Sequence, residues 1–327
     1  MVGAAGRAAA FPLTRALLSA RITILMLHRF TDSRARLGFH DVHELRETLE
    51  LLRRRRFNIL SVTDLVRSFE AGGPPKGHTV VFTVDDGYAD FAALGAKVFA
   101  DYDCPVTVFV ASGFIDGEYW FWWDRVEFLF RETRRTTVEV RLGGASPTYV
   151  LRTPAQRALA TQDLVQRLKL VHESEKEALL AALPAQSEVE LPRTAPGEYA
   201  PMTWDDIRAC RTRGASFGPH TVHHPILSQV SDDQVVTEVV GSRDRLIDEL
   251  GQAGPVFCFP NGDGSSFGAR ESRVLAENGF QAALSALPDY VPLAPRDWPS
   301  LRWALPRFSC PITPGRVLAL VTGLQRY

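Results

Sequence analysis

Cysteine is scarce and scattered: Cys104, Cys210, Cys258 and Cys310 lie far apart, with no CxxC pair and no short ligand spacing. That pattern argues against a cysteine metal site and reads as buried free thiols in a reducing compartment. Long apolar runs are missing as well. Nothing after the N-terminus approaches the roughly 18 consecutive apolar residues that a membrane-spanning helix needs. Met1 to Ala20 is rich in small residues, but Arg7 and Arg15 interrupt any apolar core. Neither a signal peptide nor a membrane span is therefore expected, and a cytoplasmic location is. Charge of one sign is lacking too: the formal net charge is −1, which argues against nucleic acid or an anionic membrane as a general partner. Arg53-Arg54-Arg55-Arg56 is a local exception, either a solvated helix end or an anion site.

What is present suits a large folded core. Hydrophobic residues make up 45% and charged residues 23% of 327, the balance of a globular protein rather than a disordered one. Ile22 to Leu27, Phe57 to Leu60, Thr79 to Val84 and Val106 to Val110 are short apolar, largely β-branched runs. They read as strands, and TVVFTV at 79–84 as one covered on both faces. Between them, His43 to Arg56, the segment opened by Ser61-Val62-Thr63-Asp64, and Asp90 to Phe99 read as helices. The alternation predicts an α/β fold with a parallel sheet or barrel. It lapses after about residue 115. There a cluster, Trp120-Phe121-Trp122-Trp123-Asp124, precedes two alternating segments, Thr137 to Leu142 and Thr148 to Arg152, that read as an antiparallel hairpin joined through 143–147. Gln162 to Leu183 reads as helical and Pro184 to Pro201 as a linker. From Met202 the alternation resumes, with helices over 203–212, 231–250 and 269–278 and strands over 215–218, 256–259 and 281–285. The expected organisation is an N-terminal extension over 1–20, an α/β body over 21–115 and 201–315, and an inserted α+β subdomain over 116–200.

Two segments carry most of the chemistry. Asp85-Asp86-Gly87 ends the TVVFTV strand, the end that faces the active site in an α/β barrel. Adjacent carboxylates repel each other unless a cation relieves them, so one serves as a metal ligand and the other as a general base. The competing reading is a turn in which the aspartates act as local caps. His220 and His224 are four residues apart, which on a helical turn places both imidazoles on one side, where they can chelate one ion. A catalytic dication wants about three protein ligands and an open position for water, and the Asp85-Asp86 pair is the best-placed source of the third. His223 would point elsewhere, to solvent or to a supporting role.

These segments also carry a resemblance. TVDDGYAD at 83–90 and HTVHHP at 220–225 resemble the first two motifs of the polysaccharide deacetylase superfamily (NodB homology, carbohydrate esterase family 4). So do LHRF at 27–30, FWWD at 121–124, FPNG at 259–262 and LPR at 305–307, in the family's order. The resemblance implies a distorted (β/α)7 barrel holding Zn²⁺, or Co²⁺ or Ni²⁺, through Asp86, His220 and His224. It also implies Asp85 as the base that deprotonates metal-bound water, with a backbone N–H near Gly87 or Tyr88 helping to hold the oxyanion.

The chain departs from the family pattern twice. Where the third motif commonly carries an arginine, it reads Phe257-Cys258-Phe259-Pro260, and no histidine follows His224. The acid for the leaving amine must then come from elsewhere. By resemblance to the exopolysaccharide poly-N-acetylglucosamine deacetylases, His28 matches the position of that acid, with Leu27 replacing the aromatic beside it, and Arg307 is expected to orient Asp85. A packed strand-end histidine and a structural salt bridge are the competing readings. The implied activity is metal-dependent removal of an N-acetyl group from a carbohydrate, with an N-acylated sugar as the partner. The alternatives are a deformylase or amidase on a small or lipid-linked N-acyl sugar, ester deacetylation, a two-histidine-one-carboxylate iron oxygenase, and a non-catalytic sugar-binding relative. The tryptophan cluster either stacks on sugar rings or packs between barrel and insertion.

Overall fold

The computed structural model describes residues 20–33, 38–142, 146–171 and 173–324. The expected N-terminal extension therefore lies outside the described residues apart from Ala20, as does the hairpin turn at 143–145. The chain divides into two compact units, Asp116–Pro201 being one and the residues on either side of it the other.

In the flanking unit the apolar runs form parallel strands: β1 (Ile22–Leu27), β2 (Asn58–Leu60), β3 (Thr79–Val84), β4 (Val106–Val110), β5 (Ala215–Pro219), β6 (Val256–Cys258), β7 (Ala282–Leu284) and β8 (Phe308–Ser309). The order β8-β1-β3-β4-β5 makes one sheet, with β2 paired to the start of β3, and β6 pairs with β7. Two links carry the ring onward: Gly254 N–H donates to Phe217 O at 3.1 Å, and Leu284 bridges to Leu305 in parallel. The result is the distorted (β/α)7 barrel that the alternation and the resemblance imply.

Strand periodicity decides which side chains reach the centre. Val81 packs with Ile22, Ile24, Phe109, Cys258 and Leu284 in one core. Phe82 and Val84 pack with Leu45, Leu49 and Val98 of the helices in another. Thr83 and Asp85 continue the Val81 side. Helix α1 (Val42–Arg54) starts where the Asp41 side chain accepts from His43 N–H, and buries Leu45, Leu49 and Leu52 at helical spacing. Helix α2 (Val62–Glu70) is capped by Ser61. The segment expected as a plain helix over 90–99 instead opens with a π turn, Phe91–Gly95, before α3 (Ala96–Asp101). Helices α4 (Trp204–Thr212), α5 (Asp232–Leu250), α6 (Ala269–Glu277) and α7 (Pro314–Val321) are the longer helices that follow in this unit. Among the described residues, no helix is long and apolar enough to cross a membrane.

In the Asp116–Pro201 unit, a helix at Trp122–Glu132, a short antiparallel pair (Thr137–Glu139 with Thr148–Val150) and helices at Pro154–Leu168 and Glu173–Ser187 enclose their own core, including Val126, Phe130, Tyr149, Leu164 and Leu183. Two expectations need correction. The first of these later helices begins earlier than Gln162, at a Thr153–Gln156 capping box. Pro184 lies inside the next one rather than opening a linker. Burial of Leu180 and Leu183, and the bond from Thr133 Oγ1 to Ser187 O at 2.6 Å, outweigh the low helix propensity of proline there. Trp120 is buried against Phe128 and Tyr199, so it offers no face to a sugar.

Candidate metal centre

Asp85 and Asp86 leave β3 in different directions because the chain turns between them. Asp85 continues the strand ladder, its N–H donating to Leu27 O at 3.0 Å. Asp86 then takes φ +77° and Gly87 φ +100°. A β-carbon on Gly87 would lie 2.8 Å from Ile115 Cδ1, so only glycine fits that turn. The Gly87 N–H already donates to Asp85 O at 3.0 Å, which removes it from the oxyanion role suggested for it.

Asp85 is buried and faces Arg307, which directly precedes β8. Nη1 and Nη2 of Arg307 each donate to one Asp85 carboxylate oxygen at 2.8 Å, a bidentate pair. Arg307 also donates to Thr83 Oγ1 at 3.1 Å and, through Nε, to Ser285 O at 2.8 Å. Burial by itself would raise the Asp85 carboxyl, but the guanidinium charge, helped by His220, holds it well below the usual carboxylate range. Burial opposes the Arg307 charge in turn, yet the Asp85 carboxylate pushes its guanidinium above the ordinary value.

His220 follows β5, its N–H donating to Val110 O at 3.1 Å. The expected helical turn over 220–224 does not form. The segment is a bend in which Thr221 and His224 both take positive φ, +68° and +58°. This sharp reversal, rather than helical pitch, brings the two imidazoles together, with ring centroids 4.9 Å apart. His220 Nδ1–H donates to Cys258 O at 2.7 Å, which leaves Nε2 with its lone pair turned toward Asp86. Burial pushes His220 down to about 4, and burial with the neighbouring His220 holds His224 well below its ordinary value. Both rings are thus neutral donors at physiological pH.

Asp86 Oδ1 is 3.7 Å from His220 Nε2 and 3.5 Å from His224 Nε2. Ligands about 2.0–2.1 Å from a tetrahedral zinc ion stand about 3.4 Å apart, so the donor set fits a divalent cation in spacing and in chemistry. Asp85, His220 and Cys258 also come within ligand distance of one another. A cation there would meet the Arg307 guanidinium bound to both Asp85 oxygens and a thiol that burial pushes far above its ordinary value. Of the two groups, that of Asp86 is therefore the better candidate to hold a divalent cation.

His28 directly follows β1, is partly exposed, and lies close enough to interact electrostatically with Asp85, His220 and His224. Sequence reasoning missed three supports: Thr83, the carbonyl of Cys258, and Glu238 on α5, which binds the N–H groups of Val222 and His223. Thr83 was open to discovery through its strand face. The other two answer to no sequence pattern.

Residues 187–283 match the family model described as polysaccharide deacetylase. No curated protein matches the chain significantly. Among solved structures, the chain is similar to the deacetylase PplD of Streptococcus pyogenes in complex with acetate, at TM-score 0.60 and 17% identity over 93% of this chain and 98% of that one. It is also similar to IcaB from Ammonifex degensii, at TM-score 0.54 and 13% identity over 94% and 99%. The deacetylase domain of BpsB from Bordetella bronchiseptica matches at TM-score 0.53 and 15% identity over 88% and 96%. At such identities the structural likeness speaks for the fold alone, and the family model speaks for residues 187–283. The chain thus shares the fold of NodB-type deacetylases, and its residues 187–283 resemble the polysaccharide deacetylase family.

Proposed function

We propose that the protein is a metal-dependent N-deacetylase of an acylated sugar, working through attack of water on the acetamide carbonyl. The observation that carries this reading is the convergence of Asp86, His220 and His224 on one point, at 3.5 and 3.7 Å, beside a carboxylate clamped by Arg307. Asp86, His220 and His224 would hold the ion, and a divalent cation bound there supplies Lewis acidity to the acyl carbonyl and acidifies water.

This chain's own residues do the remaining work. Asp85 accepts the proton of the attacking water. Arg307, anchored by Thr83 and Ser285 O, fixes the plane of that carboxylate. As the water oxygen bonds to the carbonyl carbon and the C–N bond breaks, the leaving amine needs a proton, and His28 at the rim delivers it. The acetate complex of the Streptococcus pyogenes relative is in keeping with an acetyl group as the one removed.

The test is metal analysis coupled to release of acetate and formate from a panel of N-acyl sugars, using chelated protein reloaded with Zn²⁺, Co²⁺ or Ni²⁺. Acetate release that disappears on chelation and returns with the metal is expected. Formate release alone would assign a deformylase, and full turnover after chelation would overturn the metal-dependent reading.

A further inference from the structure

Three successive backbone N–H groups, those of Val222, His223 and His224, need acceptors in a bend that no regular structure supports. His224 N–H finds Thr221 Oγ1 at 2.9 Å. The other two converge on a single atom, Oε2 of Glu238, each at 2.8 Å. The second oxygen of the same carboxylate, Oε1, accepts from His223 Nδ1 at 2.8 Å. Glu238 comes from α5 and has an 8% exposed residue surface. Consecutive N–H groups aimed at one anion form a concavity of the kind that binds phosphate in other proteins, and here the chain fills it with its own carboxylate.

On the opposite side of the bend the carbonyls are held equally firmly. Thr221 O accepts from Ser112 N–H at 3.1 Å and Val222 O from Gly113 N–H at 3.0 Å. The bend is therefore clamped between the turn after β4 and a carboxylate on α5, while two of its residues sit in the sparsely populated left-handed region. Such backbone persists only where its surroundings over-determine it, and His224 is one of the strained residues.

We propose that Glu238 is a positioning residue for the metal centre, which holds the 221–224 bend in the form that turns His224 toward Asp86 and His220. It acts through the backbone and touches neither ion nor substrate. The inference rests on the metal-centre reading above. Replacing it removes the acceptor that the two amides share and relaxes the bend, so that the chelate must be organised when the ion binds. Loss of such supporting contacts typically lowers metal affinity by about 10–100-fold.

The experiment is a chelator competition with Zn²⁺ on the full chain, paired with the visible spectrum of the Co²⁺ form, for wild type and the variants Glu238→Ala, Glu238→Asp, Glu238→Gln and His223→Ala. Glu238→Ala should bind Zn²⁺ about 10–100-fold more weakly and alter the Co²⁺ spectrum. Glu238→Gln keeps one oxygen for the paired amides and should restore affinity close to wild type, whereas the shorter Glu238→Asp should not. His223→Ala removes only the side-chain contact and should bind normally. If Glu238→Ala does not fold, the contrast between the Gln and Asp variants carries the test. Wild-type affinity in the Ala or Asp variant would overturn this inference alone, while a wild-type protein that binds no dication would overturn the metal-centre reading with it.

Discussion

The two halves of the centre are held in position by different means. Asp85 and Arg307 are set by strands: one continues β3, the other directly precedes β8, and the ladder β3-β1-β8 brings them to bonding distance. His220 and His224 lie on a bend with no ladder of its own, and individual groups take over that work: the Thr221 hydroxyl, the Glu238 carboxylate and the backbone carbonyl of Cys258. The charge balance differs in the same way. On the strand side a guanidinium inside the protein already neutralises Asp85. On the bend side Asp86 faces two imidazoles that burial keeps neutral, a carboxylate setting suited to charge supplied by a cation. A barrel strand end thus positions rigidly at little cost in sequence, and a loop needs a dedicated anchor for each ligand.

The comparison can be broken most sharply where the halves meet. Asp86→Ala removes the one carboxylate shared by both histidines, and stoichiometric Zn²⁺ should no longer be retained through dialysis. Retention would mean that the ion, if any, sits elsewhere. On the strand side, His28→Asn with metal content intact should cost about 10²–10⁴ in kcat if His28 protonates the amine. An unchanged rate would return it to a packing role.

Arg307→Ala strands a buried carboxylate, and breaking a buried pair by removing one partner costs about 3–5 kcal/mol, readable by denaturant unfolding. The pH dependence follows from the sign of the shift. A depressed folded value means that the stability from Asp85 is present above its unfolded value of about 4 and is lost as pH falls through the folded one. Without Arg307 the depression shrinks, because burial is then opposed only by His220 and His28. The gap between wild type and variant should therefore be full at neutral pH and narrow as pH falls toward and below about 4. A gap that widens in acid would exclude the ion pair as its source. The smallest effect belongs to the bend: Thr221→Val leaves His224 N–H without its hydroxyl acceptor and should cost about 1–3 kcal/mol, measured by the same unfolding. A larger loss from Thr221→Val than from Arg307→Ala would invert the contrast between rigid strand and anchored loop.

The barrel was readable because its strands are short, apolar and separated by helices. The runs at 79–84 and 106–110 match their strands to the residue, since a strand covered on both faces reads as a continuous apolar and β-branched run with sharp limits. The two-residue β8 carried no such signal, as it lies among Pro306, Pro311 and polar residues. Without β8 the neighbour of Arg307 could not be named from sequence, and a structural salt bridge and a partner for Asp85 stood level. The histidine spacing pointed to a shared ligand role while suggesting a helical turn that the chain does not make, because four residues can also be closed by a reversal through two left-handed positions.

By itself, then, the sequence determined the alternation that makes a parallel barrel, and which residue types are available for chemistry at its strand ends, because periodicity and side-chain identity are local properties. Only the tertiary structure decided that Asp85 pairs with Arg307 and Asp86 faces His220 and His224, and that Glu238 braces the bend. Those relations depend on which strands become neighbours and on the backbone reversals at Asp86, Thr221 and His224, and both follow from packing across the whole chain.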